Sequence, residues 1–83
     1  MIRQVKMQIE HSNYWKRKRG FRPEITDDFI EYAVQNSDIL KDRNWEELFN
    51  AIARVPSTGR KLKVVYRRKG KNNIEVVTSY WLD

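Results

Sequence analysis

The sequence contains no cysteine, a single histidine, two prolines and three glycines. Without cysteine there is no disulfide to staple a small fold and no thiol chemistry. One histidine and no cysteine cannot build a zinc cluster, so no metal is expected. The carboxylates Asp27-Asp28 and Glu46-Glu47 are sequence neighbours, and helical geometry splays such neighbours apart, which disfavours a carboxylate pair for hydrolysis. No glycine-rich phosphate loop and no nucleophile elbow occurs, and no cofactor is expected. No apolar run approaches the roughly 20 residues that span a bilayer. The start, Met1-Ile2-Arg3-Gln4-Val5-Lys6, lacks the apolar stretch of a signal peptide, so a soluble cytoplasmic protein with no membrane partner is expected. No repeat, linker or low-complexity segment interrupts the 83 residues, which are expected to form one domain spanning 1–83 around a single small core.

Acidic residues are also missing from two long stretches. Between His11 and Pro23 stand Lys16, Arg17, Lys18, Arg19 and Arg22 with no acid. Between Arg54 and Lys71 stand Arg54, Arg60, Lys61, Lys63, Arg67, Arg68, Lys69 and Lys71, again with none. The acids collect between them, from Glu24 to Glu47, within a formal net charge of +6. This segregation predicts a bipolar surface whose basic side recruits a polyanion such as nucleic acid. The alternative is a solvated face that serves solubility.

What is present is periodicity. Leu62, Val64 and Tyr66 alternate with Lys63, Val65 and Arg67, which reads as a strand with one core face and one basic face. Ile74, Val76, Thr78, Tyr80 and Leu82 alternate with Glu75, Val77, Ser79 and Trp81 and pair with it across a turn at 70–73, where Gly and Asn can take positive backbone angles. Residues 2–9 read as another strand, with Val5, Met7 and Ile9 on one side. Residues 11–19 read as a short helix capped by Ser12 or Asn13, closed by a left-handed Gly20, with His11, Trp15 and Lys18 or Arg19 on one face. A helix over 24–36 starts at Pro23 and places Glu24, Asp27 and Asp28 at its positive end. Residues 38–42 suggest a short edge strand. Asn44 and Glu47 form a capping-box pattern before Trp45, Leu48, Phe49 and Ile52, predicting a helix over 45–54 in preference to a strand through 49–55. Residues 55–59 are a loop in which Gly59 permits a turn. The sum is a small α+β domain, its N-terminal helices on one face of a mostly antiparallel sheet of three to four strands.

The residues permit one metal-free reaction in particular. An RNA 2′-hydroxyl can attack the adjacent phosphate if a base, an acid and charge-stabilising cations surround it. A histidine, with an unperturbed pKa of about 6.5, can fill either proton role. Arginines clamp phosphate oxygens and aromatic rings stack unpaired bases. A histidine in such a position equally serves as a helix cap or a surface residue.

The run His11, Arg19-Gly20-Phe21, a helix across 25–34, Gly59-Arg60-x-Leu62-Lys63-Val64-Val65-Tyr66 and Val76-Val77-Thr78-Ser79-Tyr80 resembles a bacterial and archaeal family of uncharacterised domains related to the RelE-like and BrnT-like toxins of toxin–antitoxin systems. Its pattern has a leading histidine, an Arg-Gly-aliphatic turn eight residues on, a Leu-x-Val-Val-Tyr strand and a strand bearing Thr-Ala-Tyr. Trp15 stands here where many relatives carry arginine, and Ser79 where alanine is commoner. The resemblance implies a RelE-like sheet and a type II toxin, an endoribonuclease acting on free or ribosome-bound RNA and neutralised by a cognate antitoxin. It implies His11, Arg19, Arg60, Thr78 and Tyr80 as catalytic residues. Lys16, Arg17, Lys18, Arg54, Lys61, Lys63 and Arg67 would bind the nucleic acid. The alternative is a non-catalytic basic module for nucleic acid or for an acidic, antitoxin-like protein segment.

Overall fold

A computed structural model describes residues 7–36, 38–41 and 48–83. The chain is a small α+β domain. Among the described residues five strands form the sheet: β1 (Gln8–His11), β2 (Asp38–Lys41), β3 (Leu48–Val55), β4 (Arg60–Gly70) and β5 (Asn73–Trp81). They lie in the order β1-β5-β4-β3-β2. All neighbours are antiparallel except β1 and β5, which run parallel. Helix α1 (Asn13–Lys18) continues into a 3-10 turn at Arg19–Phe21, and α2 (Asp27–Asn36) follows. Among the described residues no helix is long and apolar enough to cross a membrane.

Strands β4 and β5 pair as a hairpin, as the alternation predicts, and β4 is the middle strand of the order. Leu62, Val64 and Tyr66 are fully buried, and Trp15 of α1 and Ile30, Ala33 and Val34 of α2 join them in one core with Ala51, Val55, Ile74 and Val76. The alternation along β5 breaks once. Tyr66 faces Val76 but Val65 faces Thr78, so Val77 is an extra residue in a bulge. Beyond it the faces exchange: Ser79 and Trp81, not Thr78 and Tyr80, continue the side begun by Ile74 and Val76. Ser79 is fully buried and its hydroxyl donates to the Lys63 carbonyl at 2.9 Å, which explains how a polar side chain sits in the core. The expected positive backbone angles at the hairpin tip are absent. Gly70 pairs with Asn73, and a second shift between Arg68 and Gly70 leaves Lys69 as the extra residue that adjusts the twist there. Gly59 does take a positive φ, 71°, in the loop before β4, where its N–H donates to the Val55 carbonyl.

Several boundaries differ from the periodic reading. His11 ends β1 opposite Val76 instead of starting a helix, and Ser12 is the cap. The Ser12 hydroxyl accepts from the Trp15 N–H at 3.1 Å and donates to the carbonyl of bulged Val77 at 3.0 Å, so the bulge anchors α1. Gly20 lies inside the 3-10 turn with no left-handed angle. Helix α2 starts four residues after Pro23, with the Thr26 hydroxyl accepting from the Phe29 N–H. Glu24 therefore lies outside the helix and accepts from the Trp81 indole at 3.1 Å. The helix expected over 45–54 is a strand where it is described. Leu48, Ala51 and Val55 are buried at near-helical spacing, but Leu48 and Val55 face opposite sides of β3. Eight residues paired with β4 outweigh the local pattern. The edge strand appears as β2 beside β3. Expectations for residues 2–6, Ser37, Asp42 and the Asn44–Glu47 box with Trp45 fall outside the described residues.

Tyr66 stacks on Phe49 with ring centroids 5.7 Å apart, and its hydroxyl is buried with no hydrogen-bond partner among the described residues. Burial pushes its phenol above the ordinary value, against a smaller opposing pull from Arg68. Between the unfolded value near 10 and the raised folded one, the folded chain holds the proton and the unfolded chain releases it, so stability falls as pH rises through this window. Tyr66→Phe is expected to leave neutral-pH stability unchanged, or raise it by up to about 1 kcal/mol, because an unpaired buried hydroxyl is lost. It should also flatten the alkaline decline. Urea melts of both proteins at pH 7 and pH 11 measure the two effects.

Candidate functional site

The expected site residues fall into three places. The first lies where β1 meets the segment between α1 and α2. Three tethers hold that segment along β5: Ser12 to the Val77 carbonyl, Arg22 to the Ser79 carbonyl at 3.2 Å, and Glu24 to Trp81. They bring Arg19 over His11. Arg19 Nη1 is 2.9 Å from Nε2 and 3.3 Å from Nδ1 of the ring. A donor aligned with one ring nitrogen's in-plane lone pair lies far from the other nitrogen, so near-equal distances place the guanidinium over the ring face. Both nitrogens keep their in-plane positions. Nε2 has Asp27 Oδ1 at 3.5 Å, and Arg19 Nη2 donates to that same oxygen at 3.2 Å. His11 is mostly buried, its side chain 16% exposed, while Asp27 is half exposed.

The structure thus brings together His11 and Arg19, as the sequence suggests, but adds an acid the sequence reading assigned to a helix end. Asp27 offsets the Arg19 charge. The adjoining cleft, about 310 Å³, is lined by Arg19, Pro23, Ile25, Thr26, Asp27 and Asp28. Two carboxylates on its wall oppose a phosphate. Among the described residues no group of three or more histidine, cysteine or acidic side chains could hold a metal ion.

The second place is the sheet face turned away from Leu62, Val64 and Tyr66. Register sets Tyr80 beside Lys63 and Thr78 beside Val65 on β5. On β3 it sets Arg54 beside Lys61, Ile52 beside Lys63 and Asn50 beside Val65. Lys61, Lys63, Arg67 and Lys69 form a row along β4. The Lys63 ammonium lies 5.7 Å from the Tyr80 ring centroid. Arg67 and Lys69 share Glu75, at 3.7 and 4.0 Å. The Lys61 and Lys63 side chains have no carboxylate partner among the described residues. Val65 and Ile52 give the face an apolar floor.

The third place is the start of β4. Arg60 lies over the Trp81 ring, 4.6 Å from its centroid, and donates to the main-chain oxygen of Asp83. Lys16, Arg17 and Lys18 project from α1, with Lys16 and Arg17 exposed and Lys18 over Tyr14 at 5.5 Å. The sequence reading missed the contact of Asp27 with Arg19, the bond from the Ser12 cap to the Val77 carbonyl, and the role of Asp83. The bulge at Val77 hid the division of β5 between faces, and nothing in the residue pattern signals a bulge. No family model matches the chain, and neither a curated protein nor a solved structure matches it significantly.

Proposed function

We propose that this chain is an RNA-binding module that holds an extended single strand across the face bearing Lys61, Lys63, Arg67, Thr78 and Tyr80. One observation carries the reading: a row of cations alternates along β4 beside an aromatic ring at the same level. Alternate strand residues recur about every 6.6–6.8 Å, close to the spacing of successive phosphates in an extended strand. Cations that track the backbone and a ring on which a base stacks are the two requirements for holding single strands. An open sheet face suits unpaired bases better than a duplex, whose A-form major groove is too narrow for side chains to read. Binding of a fluorescent single-stranded RNA, measured across a salt series, tests the proposal. A steep fall in affinity with salt, and competition by single-stranded but not double-stranded RNA, is the expected result. Salt-insensitive binding or none would remove it, and selective capture of an acidic peptide would favour a protein segment as the ligand.

A second reading rests on His11 beneath Arg19. It is the toxin-like, metal-independent endoribonuclease of a cytoplasmic type II toxin–antitoxin pair, with a RelE-like layout of both helices on one face. In it the RNA 2′-hydroxyl attacks phosphorus, His11 moves a proton, Arg19 stabilises the phosphorane, and the 5′-oxygen leaves protonated. Phosphate entry would have to part Arg19 from Asp27. Arg60, Thr78 and Tyr80 belong to the other two places described above, so they would act on bound RNA through binding. His11→Ala is expected to slow cleavage by about two to four orders of magnitude under this reading and to leave RNA binding intact. Incubation of both proteins with RNA in EDTA, with and without ribosomes, followed by analysis of product ends, measures it. Cyclic phosphate ends from the unaltered protein alone support the enzyme, and equal cleavage by both proteins excludes His11.

A further inference from the structure

Beyond the strand row, one residue, Asp83, gathers the donors at the end of the β3–β4 hairpin. Asp83 Oδ1 accepts from the Lys61 main-chain N–H at 2.9 Å. Its Oδ2 lies 3.6 Å from Arg54 Nη1. Its main-chain oxygen accepts from Arg60 Nε and Nη2 at 3.2 and 2.9 Å. Each donor is fixed by something other than Asp83. Arg54 also donates to the Gly59 carbonyl. Arg60 stacks on Trp81, and its N–H is held by the Thr58 hydroxyl at 3.1 Å. The Lys61 N–H is set by the strand itself. The Arg54 guanidinium and the Lys61 N–H, positioned independently, face the Asp83 carboxylate, while Arg60 holds the main-chain oxygen of the same residue.

We infer that this cluster is a phosphate-binding site which Asp83 occupies in the free protein, and that an incoming RNA phosphate displaces the Asp83 side chain. Carboxylate and phosphate diester each offer two oxygens that share one negative charge, and both are recognised by the same forked guanidinium and N–H donors. The displaced pair is exposed, 55% for Arg54 and 48% for Asp83, and exposed pairs are weak enough to be exchanged. The site adjoins Lys61 and is one step of the register from Lys63, so it extends the cation row towards the hairpin. The anion chemistry stands on these distances alone, whereas RNA as the source of the phosphate rests on the function proposed above. Asp83 then acts as a built-in competitor that screens weak anions.

The test titrates inorganic phosphate, and separately a single-stranded RNA oligonucleotide, into the unaltered protein, Asp83→Asn and Asp83→Asn/Arg54→Lys. The Lys61 amide is followed by NMR. Asparagine keeps an acceptor for the Lys61 N–H and removes only the charge, so the fold is retained. Asp83→Asn is expected to bind both ligands about 1.5- to fivefold more tightly, from the loss of an exposed competing pair, and adding Arg54→Lys, which keeps the charge and removes the fork, should cancel the gain. If Asp83→Asn gains affinity for phosphate while no form binds RNA, the site stands and the RNA reading falls. If RNA binds but Asp83→Asn changes nothing, the inference is overturned and the RNA reading survives. A gain that persists with Arg54→Lys is a net-charge effect and equally overturns it.

Discussion

Trp15→Ala is expected to remove at least about a quarter of the domain's stability and to lower its thermal midpoint steeply. Trp15 is fully buried among strands β4 and β5 and helix α2. Truncating a buried tryptophan costs about 3–5 kcal/mol, since a large apolar surface is lost and a cavity remains. A domain of this size has a total stability of roughly 4–12 kcal/mol. At about 4–8 °C per kcal/mol, the midpoint should fall by roughly 12–40 °C, read by circular dichroism on heating. Trp15→Phe should cost far less. Its indole Nε1 is buried with no partner among the described residues, so phenylalanine discards an unpaired donor along with part of the ring. A fall of only a few degrees for Trp15→Ala would mean that α1 is not part of the folding unit.

Trp15 also shows what residue order reveals and what it conceals. Its place on one face of a short helix was readable, while the neighbouring aromatic residue, Tyr14, is exposed. Strands β4 and β5 were readable because period two over nine or more residues has few competing explanations. Strand β3 was not. Leu48, Phe49 and Ile52 satisfy a helical spacing, and only the long ladder with β4, formed at a distance in sequence, decides against it. The start of α2 was displaced because Pro23 is an attractive first-turn residue, while Arg22 and Glu24 are drawn instead to β5 by Ser79 and Trp81. Tertiary tethers of this kind leave no local signal.

The candidate site divides the same way. His11 and Arg19 were paired by a helical-face argument that fails, because His11 is on a strand, yet the chain reversal through Ser12 and the 3-10 turn brings them together anyway. Asp27 was read as a helix-end acid, which it is, and its second role against Arg19 depends on geometry that no spacing encodes. The separation of Thr78 and Tyr80 from His11 follows from a single inserted residue. A one-residue slip transfers every later side chain to the other face, so Val77 decides which residues can share a ligand.

Lys61→Ala/Lys63→Ala/Tyr80→Ala should therefore lower affinity for single-stranded RNA by two to four orders of magnitude at 0.1 M salt, without loss of fold. Each phosphate contact contributes about 0.7 to the slope of log affinity against log salt for single strands, so two lysines account for about 1.4 in slope and about 25-fold in affinity at 0.1 M, if the ionic contribution vanishes at 1 M. Tyr80 adds about 1–3 kcal/mol of base stacking, a loss that salt leaves unchanged. The two contributions separate experimentally: the lysine pair should flatten the salt slope, and Tyr80→Ala should shift the whole line downward in parallel. Lys63 lies over the Tyr80 ring, so the triple variant should depart from the sum of its parts, as contacting residues do. Partial exposure of Lys63 and Tyr80 and full exposure of Lys61 keep the cost to folding small, and an unchanged thermal midpoint would confirm it. An unchanged salt slope in the lysine pair would place the RNA elsewhere, and the same measurement on Lys16→Ala/Arg17→Ala would then show whether α1 carries the backbone contacts instead.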